Sequence, residues 1–363
     1  MGRLQLEFTR IITEYPDAQI LLNLTSGTPQ MNAIMMYLAV EYPQTLGIQV
    51  ITPKGTSNKR EKPYSGDENL DVLLANNLDD LPGAPNRCRE PHMYLVRLKE
   101  VAKEINLLCK EYNYGRALEV YERNKTFLNQ DIGLLLQHAF DRSNLQYVPA
   151  LRTINHFGTI TLRNGYDSSL SPLWEYLMTL ELRYKQGLVQ EFFVKLTPFL
   201  YELLKWYLFT YKKVDKNKIG VERKKKIIIV KEKVEKNYPT LKAALDKKYP
   251  GGLRNNSDLN FLFMYHFLCF TSCSISESQE ESQLVKDKLY FLRTVENSIR
   301  NKLAHNIVPL TEQDVENATE GKTTEFILNE VKSVFFMLIG NHKKKDVLIY
   351  DVINEKISEL LKQ

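Results

Sequence analysis

The sequence lacks the features that mark a secreted or membrane-spanning protein. It has few cysteines, and none of their spacings matches a pair of metal ligands; the four are Cys88, Cys109, Cys269 and Cys273. Cys269 and Cys273 lie in an apolar helical run, so we expect buried free thiols and a reducing cytoplasm. The longest apolar run, residues 261–270, is too short to cross a bilayer. No secretory signal opens the chain, and we therefore expect a cytoplasmic protein.

The sequence is also poor in the residue groups that hold metals. No carboxylate, histidine or cysteine side chains cluster at the spacing of metal ligands, so we expect no metal and no resident cofactor. The net charge of +5 over 363 residues is mildly basic. That charge is compatible with an anionic partner but does not require one. The length exceeds one ordinary core and suits two or three domains.

The most strongly periodic helix lies in the last quarter of the sequence. Its apolar residues recur at spacings of three and four, which predicts one buried stripe: Val285, Leu289, Leu292, Val295, Ile299 and Leu303. Arg300, Asn301 and His305 fall off this stripe. Asn306 and Pro309 supply stop signals, so His305 is expected in or just past the last turn, where solvent reaches its ring.

These residue types suit the cleavage of RNA without a metal. A histidine moves protons at neutral pH between the 2′-hydroxyl and the leaving 5′-oxygen. An arginine donates two hydrogen bonds to the phosphorane that forms, and Asn301 can orient either partner. The alternative is that His305 only caps its own helix, where a cation is favoured by the C-terminal dipole.

The spacing of arginine and histidine is weak evidence by itself. A second Arg-(four residues)-His match runs from Arg87 to His92. It contains Pro91, which would break the helix needed to hold it, and no helix stop follows. We interpret this second copy as accidental.

A second candidate site follows the first predicted strand. A helix at residues 4–14 precedes a strand at 19–24, and a helix and a strand at 47–52 complete a βαβ unit. Thr28 is a good N-cap before Pro29, so the N–H groups of Gln30 and Met31 should be free to meet an anion. Gly27 allows close approach, and hydroxyl donors come from Thr25, Ser26 and Thr28. The loop has neither the glycines of a dinucleotide fingerprint nor the lysine of a P-loop, and a capped helix without a ligand is the alternative.

Two stretches resemble known families. Arg300-Asn301-Lys302-Leu303-Ala304-His305 resembles the Arg-Asn…Ala-His signature of HEPN ribonucleases. The stretch from Asn23 to Met31, NLTSGTPQM, resembles the ligand loop of CARF domains, which are Rossmann-like sensors of cyclic oligoadenylates in type III CRISPR defence. Their order resembles the Csm-type ancillary ribonucleases of type III-A systems.

The resemblance implies an α+β multidomain protein. We expect a partial Rossmann-like α/β CARF domain at 1–90, a helical connector at 91–187 and an all-α HEPN domain at 188–363. It also implies a homodimer in which cyclic oligoadenylate, in the hexa-adenylate form, activates metal-independent cleavage of single-stranded RNA to a 2′,3′-cyclic phosphate. The implied catalytic residues are Arg300, Asn301 and His305. The implied activator-binding residues are Asn23, Thr25, Ser26, Gly27, Thr28 and Gln30.

One departure from that family concerns the N-terminus. A doubly wound sheet begins with a strand, whereas this sequence begins with a predicted helix. We therefore expect the family's first strand and its loop to be missing, and the binding of activator to be weak.

Two stretches in the middle of the chain have competing interpretations. Aromatic residues crowd a predicted helix at 188–211, a pattern more typical of a core or a dimer interface than of a base-stacking platform. Residues 212–248 are rich in lysine, which favours a solvated, mobile insertion over a surface that tracks an RNA backbone.

Two other functions stay open at this point. A non-enzymatic regulator that senses a ligand would need a DNA-reading helix, and none stands out in the sequence. A HEPN-type toxin ribonuclease would leave the first domain without a role.

Overall fold

The structure is a computed structural model, and it divides the chain into two compact units, Met1–Lys103 and Glu104–Gln363. It describes residues 2–42, 44–51, 69–75, 81–91, 94–153, 169–224, 226–271, 278–305, 309–340 and 348–362. Within these ranges, the side chains of residues 2–4, 70, 73–74, 94–95, 153 and 301–305 are left out of the description. The expectations for His92, Cys273 and Asn306 therefore fall outside the described residues, as does that for the side chain of Leu303.

The first unit is built on a small sheet with helices. Its elements are α1 (Gly2–Glu14), β1 (Ile20–Asn23), α2 (Pro29–Glu41), β2 (Thr45–Val50), α3 (Leu70–Ala75), β3 (Cys88–Arg89) and the first part of α4 (Tyr94–Lys110). The strand order is β1-β2-β3. β1 and β2 are parallel, with Ile20 opposite Thr45, so the predicted βαβ unit is confirmed. β3 was not predicted; it pairs antiparallel with the end of β2.

The core of the first unit explains why this short stretch folds. Phe8 of α1 and Leu38 of α2 are buried with Leu24, which follows β1. The Phe8 ring meets Tyr42 edge-on, with centroids 5.1 Å apart. Because β1 and β2 are parallel, their carboxyl ends lie at one edge of the sheet, and the polar loop after Asn23 lies beside the end of β2 at Val50.

The second unit is mainly helical. It contains the rest of α4 and then α5 (Tyr114–Asn124), α6 (Gln130–Ser143), α7 (Tyr147–Thr153), α8 (Ser171–Lys185), α9 (Val189–Trp206), α10 (Lys231–Asn237), α11 (Pro239–Lys248), α12 (Phe261–Phe270), α13 (Gln279–His305), α14 (Glu312–Ala318), α15 (Thr324–Leu338) and α16 (Ile349–Leu360). A π-helical turn, Tyr207–Tyr211, continues α9. None of the described helices is long and apolar enough to span a membrane.

Residues 212–258 differ from the sequence-based expectation. They form a three-stranded antiparallel sheet of β4 (Gly220–Arg223), β5 (Lys226–Ile229) and β6 (Ser257–Asp258), together with α10 and α11. Ile229, Val234 and Leu241 of this segment are buried. The expectation of a mobile insertion is therefore wrong: most of the described lysines are exposed, but apolar residues between them are buried. The α+β class is confirmed, although the region 188–363 contains this sheet as well as helices.

The C-terminal helix explains why the second unit includes the predicted connector. The Tyr112 hydroxyl donates to Asp351 Oδ1 at 2.6 Å, and the Tyr114 hydroxyl donates to Asn354 Oδ1 at 3.0 Å. The Asn354 amide in turn donates to the Cys109 carbonyl at 2.8 Å. These bonds join α16 to the end of α4 and the start of α5, so the described helices of the predicted connector from residue 104 onward belong to the same unit as the C-terminal helix. The division at residues 187 and 188 stays a prediction.

Candidate functional site

The candidate catalytic residues lie at the end of α13. Five residues of its predicted stripe are almost completely buried, which confirms the stripe: Val285, Leu289, Leu292, Val295 and Ile299. The helix ends at His305, in the last turn as the stop signals predicted. Arg300 directly follows the buried Ile299 and is exposed. Packing therefore fixes the backbone at Ile299, while the Arg300 side chain stays open to solvent.

A buried carboxylate holds α13 in place one turn before Arg300. Glu296 is 2% exposed. Its carboxylate accepts a hydrogen bond from the Thr197 hydroxyl at 2.6 Å and another from the Arg293 guanidinium. The carbon of that guanidinium lies 5.4 Å from the ring centre of Phe261. These contacts tie α13 to α9 and α12, so they determine where Arg300 is presented.

Sequence reasoning missed Glu296 as a positioning residue, although a signal was present. A strict alternation of four- and three-residue spacings from Val285 would pass through positions 289, 292, 296, 299 and 303, so Glu296 stands where an apolar residue is expected, next to the apolar Val295. A carboxylate at such a position must be paired when it is buried. The pairing with Thr197 lay beyond the reach of the sequence, because its partner is 99 residues away.

The helix backbone decides which candidate positions share a face. Each residue of an α-helix turns by about 100°, so positions 301 and 305 lie roughly 40° apart around the axis. Position 300 lies roughly 140° from position 305. The side chains of Asn301 and His305 are not among those described. The backbone of one helix thus brings Asn301 and His305 to one face and directs Arg300 elsewhere.

The second arginine–histidine match has no comparable setting. Arg87 lies just before β3, and its guanidinium donates to the Ile51 carbonyl at 2.9 Å. Arg87 therefore lies beside a strand and not in a helix, which agrees with the interpretation of the Arg87–His92 match as accidental.

Two other histidines are excluded from proton transfer by burial. His138 and His266 are both almost completely buried. Burial lowers the pKa of each ring to about 4, so both are neutral near pH 7. His138 Nδ1 contacts the Ala150 carbonyl at 2.8 Å, and His266 Nε2 contacts the Tyr249 hydroxyl at 2.7 Å. Both rings belong to the core. In the part of the chain that the structure describes, no group of three His, Cys, Asp or Glu residues could hold a metal ion.

The polar loop after β1 has the helix start that the sequence predicted. Thr28 is the N-cap of α2 and Pro29 follows it. The Thr28 hydroxyl oxygen accepts a hydrogen bond from the Met31 N–H at 3.3 Å, so this N–H is not free and the prediction for Met31 was wrong. Residues 25–30 are all exposed. The loop therefore presents hydroxyl groups and the first turn of a helix at the carboxyl end of a parallel strand, a suitable place for an anion.

Thr25 fixes the position of this loop, and its hydroxyl group can still donate a hydrogen bond. Its N–H donates to Asn23 Oδ1 at 2.9 Å, and its hydroxyl oxygen accepts from the Val50 N–H at 2.6 Å. The second bond fastens the loop to the end of β2. The hydroxyl hydrogen remains able to donate to a ligand.

Gly27 and Asn32 complete the loop. Gly27 has φ +115°, a conformation that strains other residues. A Cβ atom added there would lie 3.4 Å from Asn32 Oδ1. This buried oxygen has no hydrogen-bond partner among the described residues, which marks Asn32 as a polar residue of the site that sequence reasoning missed. Its position in the first turns of α2 gave no local signal.

Two protein-family models match this chain, one near its N-terminus and one towards its C-terminus. The Cas_Csm6 CARF domain matches residues 2–88, and the Cas_Csm6 HEPN domain matches residues 162–358. The chain is 26% identical over 364 residues to the CRISPR system endoribonuclease Csm6 of Enterococcus italicus, covering 96% of this chain and 77% of that protein. It is also 26% identical over 351 residues to the protein of the same name from Mycobacterium tuberculosis, covering 95% and 75%.

A solved structure has the same fold. Enterococcus italicus Csm6 bound to cyclic hexa-2′-fluoro-hexa-dAMP aligns with a TM-score of 0.70 at 20% identity, over 99% of this chain and 79% of that one. The HEPN match alone spans more than half of the chain and contains the whole of α13. With a CARF match followed by a HEPN match, the chain belongs to the Csm6 family.

Proposed function

We propose that the protein is an endoribonuclease of type III CRISPR defence that cyclic oligoadenylate activates. The observation that carries this proposal is the end of α13: an exposed Arg300 on a helix anchored by the buried Glu296, inside the segment matched by the Cas_Csm6 HEPN domain. The relatives are named CRISPR system endoribonucleases. The substrate that suits this site is single-stranded RNA, whose 2′-hydroxyl is free to attack the adjacent phosphate.

We assign roles to three residues of α13. His305 transfers protons to and from the reacting oxygens, Arg300 stabilises the charge of the phosphorane, and Asn301 orients the histidine or the substrate. This chemistry needs no metal and leaves a 2′,3′-cyclic phosphate and a 5′-hydroxyl. The exposure of Arg300 supports its role, because a phosphate can approach the guanidinium from solvent.

The geometry of α13 favours a site built by two chains. Positions 300 and 305 are about 140° apart on the helix, so one chain cannot easily aim both groups at the same phosphate. Two copies of α13 related by a twofold axis bring the Arg300 of each copy towards the His305 of the other. A homodimer with a composite site follows from this arrangement.

The loop at residues 23–30 is the proposed activator site. Its exposed hydroxyl groups and the helix start at Thr28 can donate hydrogen bonds to the phosphates of a cyclic oligoadenylate, and the unpaired carboxamide oxygen of Asn32 can accept one from the amino group of a base. The ligand of the Enterococcus italicus structure is a cyclic chain of six nucleotides, which supports hexa-adenylate as the activator. We propose residues 1–90 as the sensor, 91–187 as the connector and 188–363 as the nuclease.

A cleavage assay tests this function directly. Purified protein is incubated with a fluorogenic single-stranded RNA, alone and with cyclic tetra-adenylate or cyclic hexa-adenylate. We expect little cleavage without activator and strong stimulation by the hexa-adenylate ring. Cleavage that no cyclic oligoadenylate stimulates would favour the toxin alternative, and binding of the activator without any cleavage would favour the non-enzymatic regulator.

A further inference from the structure

The aromatic stretch at residues 188–211 serves two purposes. Phe192, Phe193, Phe199 and Tyr207 are buried, so the interpretation of this stretch as core is confirmed for them. Trp206 is only half-buried. It faces a cavity of about 550 Å³ in the second unit.

The cavity has the size and the lining of a nucleotide site. Four half-buried aromatic residues line it: Tyr147, Tyr176, Trp206 and Phe209. Its volume is within the roughly 300–1,000 Å³ of small-molecule sites, which are mostly apolar with a few polar groups. Nucleobases stack on aromatic rings in sites for single strands. The lining therefore matches a base better than it matches an aliphatic ligand.

Two of these rings are held in position before any ligand binds. The Trp206 indole N–H donates to the Ser169 hydroxyl at 3.2 Å. The Tyr176 ring stacks on the buried Phe199, with centroids 6.1 Å apart and an angle of 15°. Rings fixed in this way lose little conformational freedom on binding, which favours affinity.

The backbone at this cavity is also unusual. Phe209 belongs to the π-helical turn Tyr207–Tyr211, which directly continues α9. π-Helical turns are rare and occur frequently at functional sites. This turn carries Phe209 to the wall of the cavity, so an independent feature of the backbone points to the same place as the aromatic lining.

The charge beside the cavity suits a polyanion. Lys205 and Lys216 belong to its wall. Residues 212–254 contain fifteen Lys and Arg residues and five Asp and Glu residues, a net charge of +10 in a chain whose total is +5. The rest of the chain is therefore net negative, and the attraction for a phosphate backbone is concentrated in this segment.

The carboxylates near these lysines do not remove that attraction. Lys205 lies 3.1 Å from Glu202, and Lys216 lies 3.9 Å from Glu222. Both pairs are partly exposed, and ion pairs of this kind contribute little. A phosphate can replace the carboxylate at small cost. Glu202 also lines the cavity, where it can accept hydrogen bonds from the amino group of a base.

We propose that this cavity binds one nucleotide of the single-stranded RNA substrate. The base stacks on the wall formed by Trp206 and Tyr176, while Lys205 and Lys216 bind the flanking phosphates. The neighbouring segment 212–254 carries the strand onward by its positive charge. This proposal rests on the proposed nuclease function and adds a substrate-binding subsite to it.

Binding of a non-cleavable RNA tests the subsite without requiring catalysis. The probe is a short, fluorescein-labelled 2′-O-methyl RNA, whose 2′-oxygens cannot attack. We expect Trp206→Ala to weaken binding by roughly 5- to 150-fold, the range that alanine substitution gives for one base–aromatic stack. Trp206→Phe keeps a ring and should recover most of the affinity. The matched control is Tyr290→Ala, which removes an exposed aromatic side chain that does not line the cavity.

Intrinsic fluorescence gives a second, direct readout. The sequence has two tryptophans, and the other, Trp174, is buried against Phe335. Stacking of a base should quench the emission of Trp206. Quenching by the 2′-O-methyl RNA should therefore persist in Trp174→Phe and disappear in Trp206→Phe. Quenching that persists in Trp206→Phe would overturn the proposal.

Two further measurements distinguish a base-stacking subsite from a general anion site and from a dimer interface. Heparin is a polyanion without bases, so its binding should be unchanged in Trp206→Ala; an equal loss for heparin and RNA would contradict stacking. A shift of Trp206→Ala from dimer to monomer, with its RNA affinity unchanged, would show that the ring belongs to an interface instead. If Arg300→Ala abolishes cleavage while Trp206→Ala binds RNA like the wild type, the subsite fails and the nuclease stands. If the wild-type protein cleaves no RNA with or without activator, the proposed function fails.

Discussion

Two adjacent residues of α13 should separate stability from catalysis. Ile299 is completely buried, whereas Arg300 is exposed. Truncating a buried isoleucine to alanine costs about 2–5 kcal/mol of unfolding free energy, because it removes packed methyl groups and leaves a cavity. Truncating an exposed arginine changes stability by about 0.5 kcal/mol or less. The removal of a charge-stabilising donor from the transition state lowers the rate by about 100- to 1,000-fold.

These free energies translate into shifts that thermal unfolding resolves. In a domain of this size, 1 kcal/mol corresponds to about 2–4 °C in Tm. Ile299→Ala should therefore lower Tm by about 4–20 °C, and Arg300→Ala by about 2 °C or less. Tm is measured by circular dichroism. Initial rates on the fluorogenic RNA, with saturating activator, are measured at a temperature at which both variants are folded.

The expected pattern is a crossed one. Arg300→Ala should have a Tm near that of the wild type but a much lower cleavage rate. Ile299→Ala should have a lower Tm but a cleavage rate near that of the wild type. Arg87→Ala serves as the matched arginine control and should cleave like the wild type. The assignment is refuted if Arg300→Ala unfolds early yet retains full activity in its folded fraction, or if its Tm and rate are both those of the wild type.

The other expectations concern metals, the activator and pH. Excess EDTA should leave the rate unchanged, and the products should carry a 2′,3′-cyclic phosphate and a 5′-hydroxyl; a 5′-phosphate, or a rate that divalent ions restore, would point to metal chemistry. Thr28→Ala should raise the activator concentration for half-maximal rate without changing the basal rate. The lost N-cap should also lower the free energy of unfolding by about 1 kcal/mol. Thr28→Asp keeps a cap but repels an anion, so a normal response from it would exclude an anion site in this loop. The pKa values of His138 and His266 are lowered to about 4, so the unfolded chain binds more protons between pH 6.5 and 4, and the free energy of unfolding should fall as the pH falls through this range. The slope is roughly 1.4 kcal/mol per pH unit for each histidine, and urea titrations that give the same slope for His138→Gln as for the wild type would contradict it.

Local features were predictable from the sequence. The stripe of α13 follows from spacings of three and four, and the start of α2 follows from Thr28 and Pro29. Both depend on neighbours within about four residues, which the helix geometry places on one face or at one end. The exposure of Arg300 could be predicted for the same reason. The βαβ unit, whose strands pair residues 25 apart, followed from the order strand, helix, strand and from the length of the connection.

The basic segment shows where composition fails. Lysines dominate residues 212–248, yet Ile229, Val234 and Leu241 are buried beneath them. A count of charges does not reveal which residues alternate between solvent and core. Tertiary packing supplied that information: Ile229 lies on β5 of the antiparallel sheet, whereas Val234 and Leu241 lie on α10 and α11.

The sequence by itself determined the βαβ order of the first unit, the buried stripe of α13 and the exposure of Arg300, because these depend on contacts within single turns and neighbouring segments. Only the tertiary structure decided that Thr25 binds the backbone of Val50, 25 residues away, and that Glu296 binds Thr197, 99 residues away. The cavity beside Trp206 likewise combines residues of three separate helices. Elements that are distant in sequence bury polar groups when they pack, and each buried polar group needs a hydrogen-bond partner. Which residue becomes that partner depends on the packing, so it leaves no local pattern in the sequence.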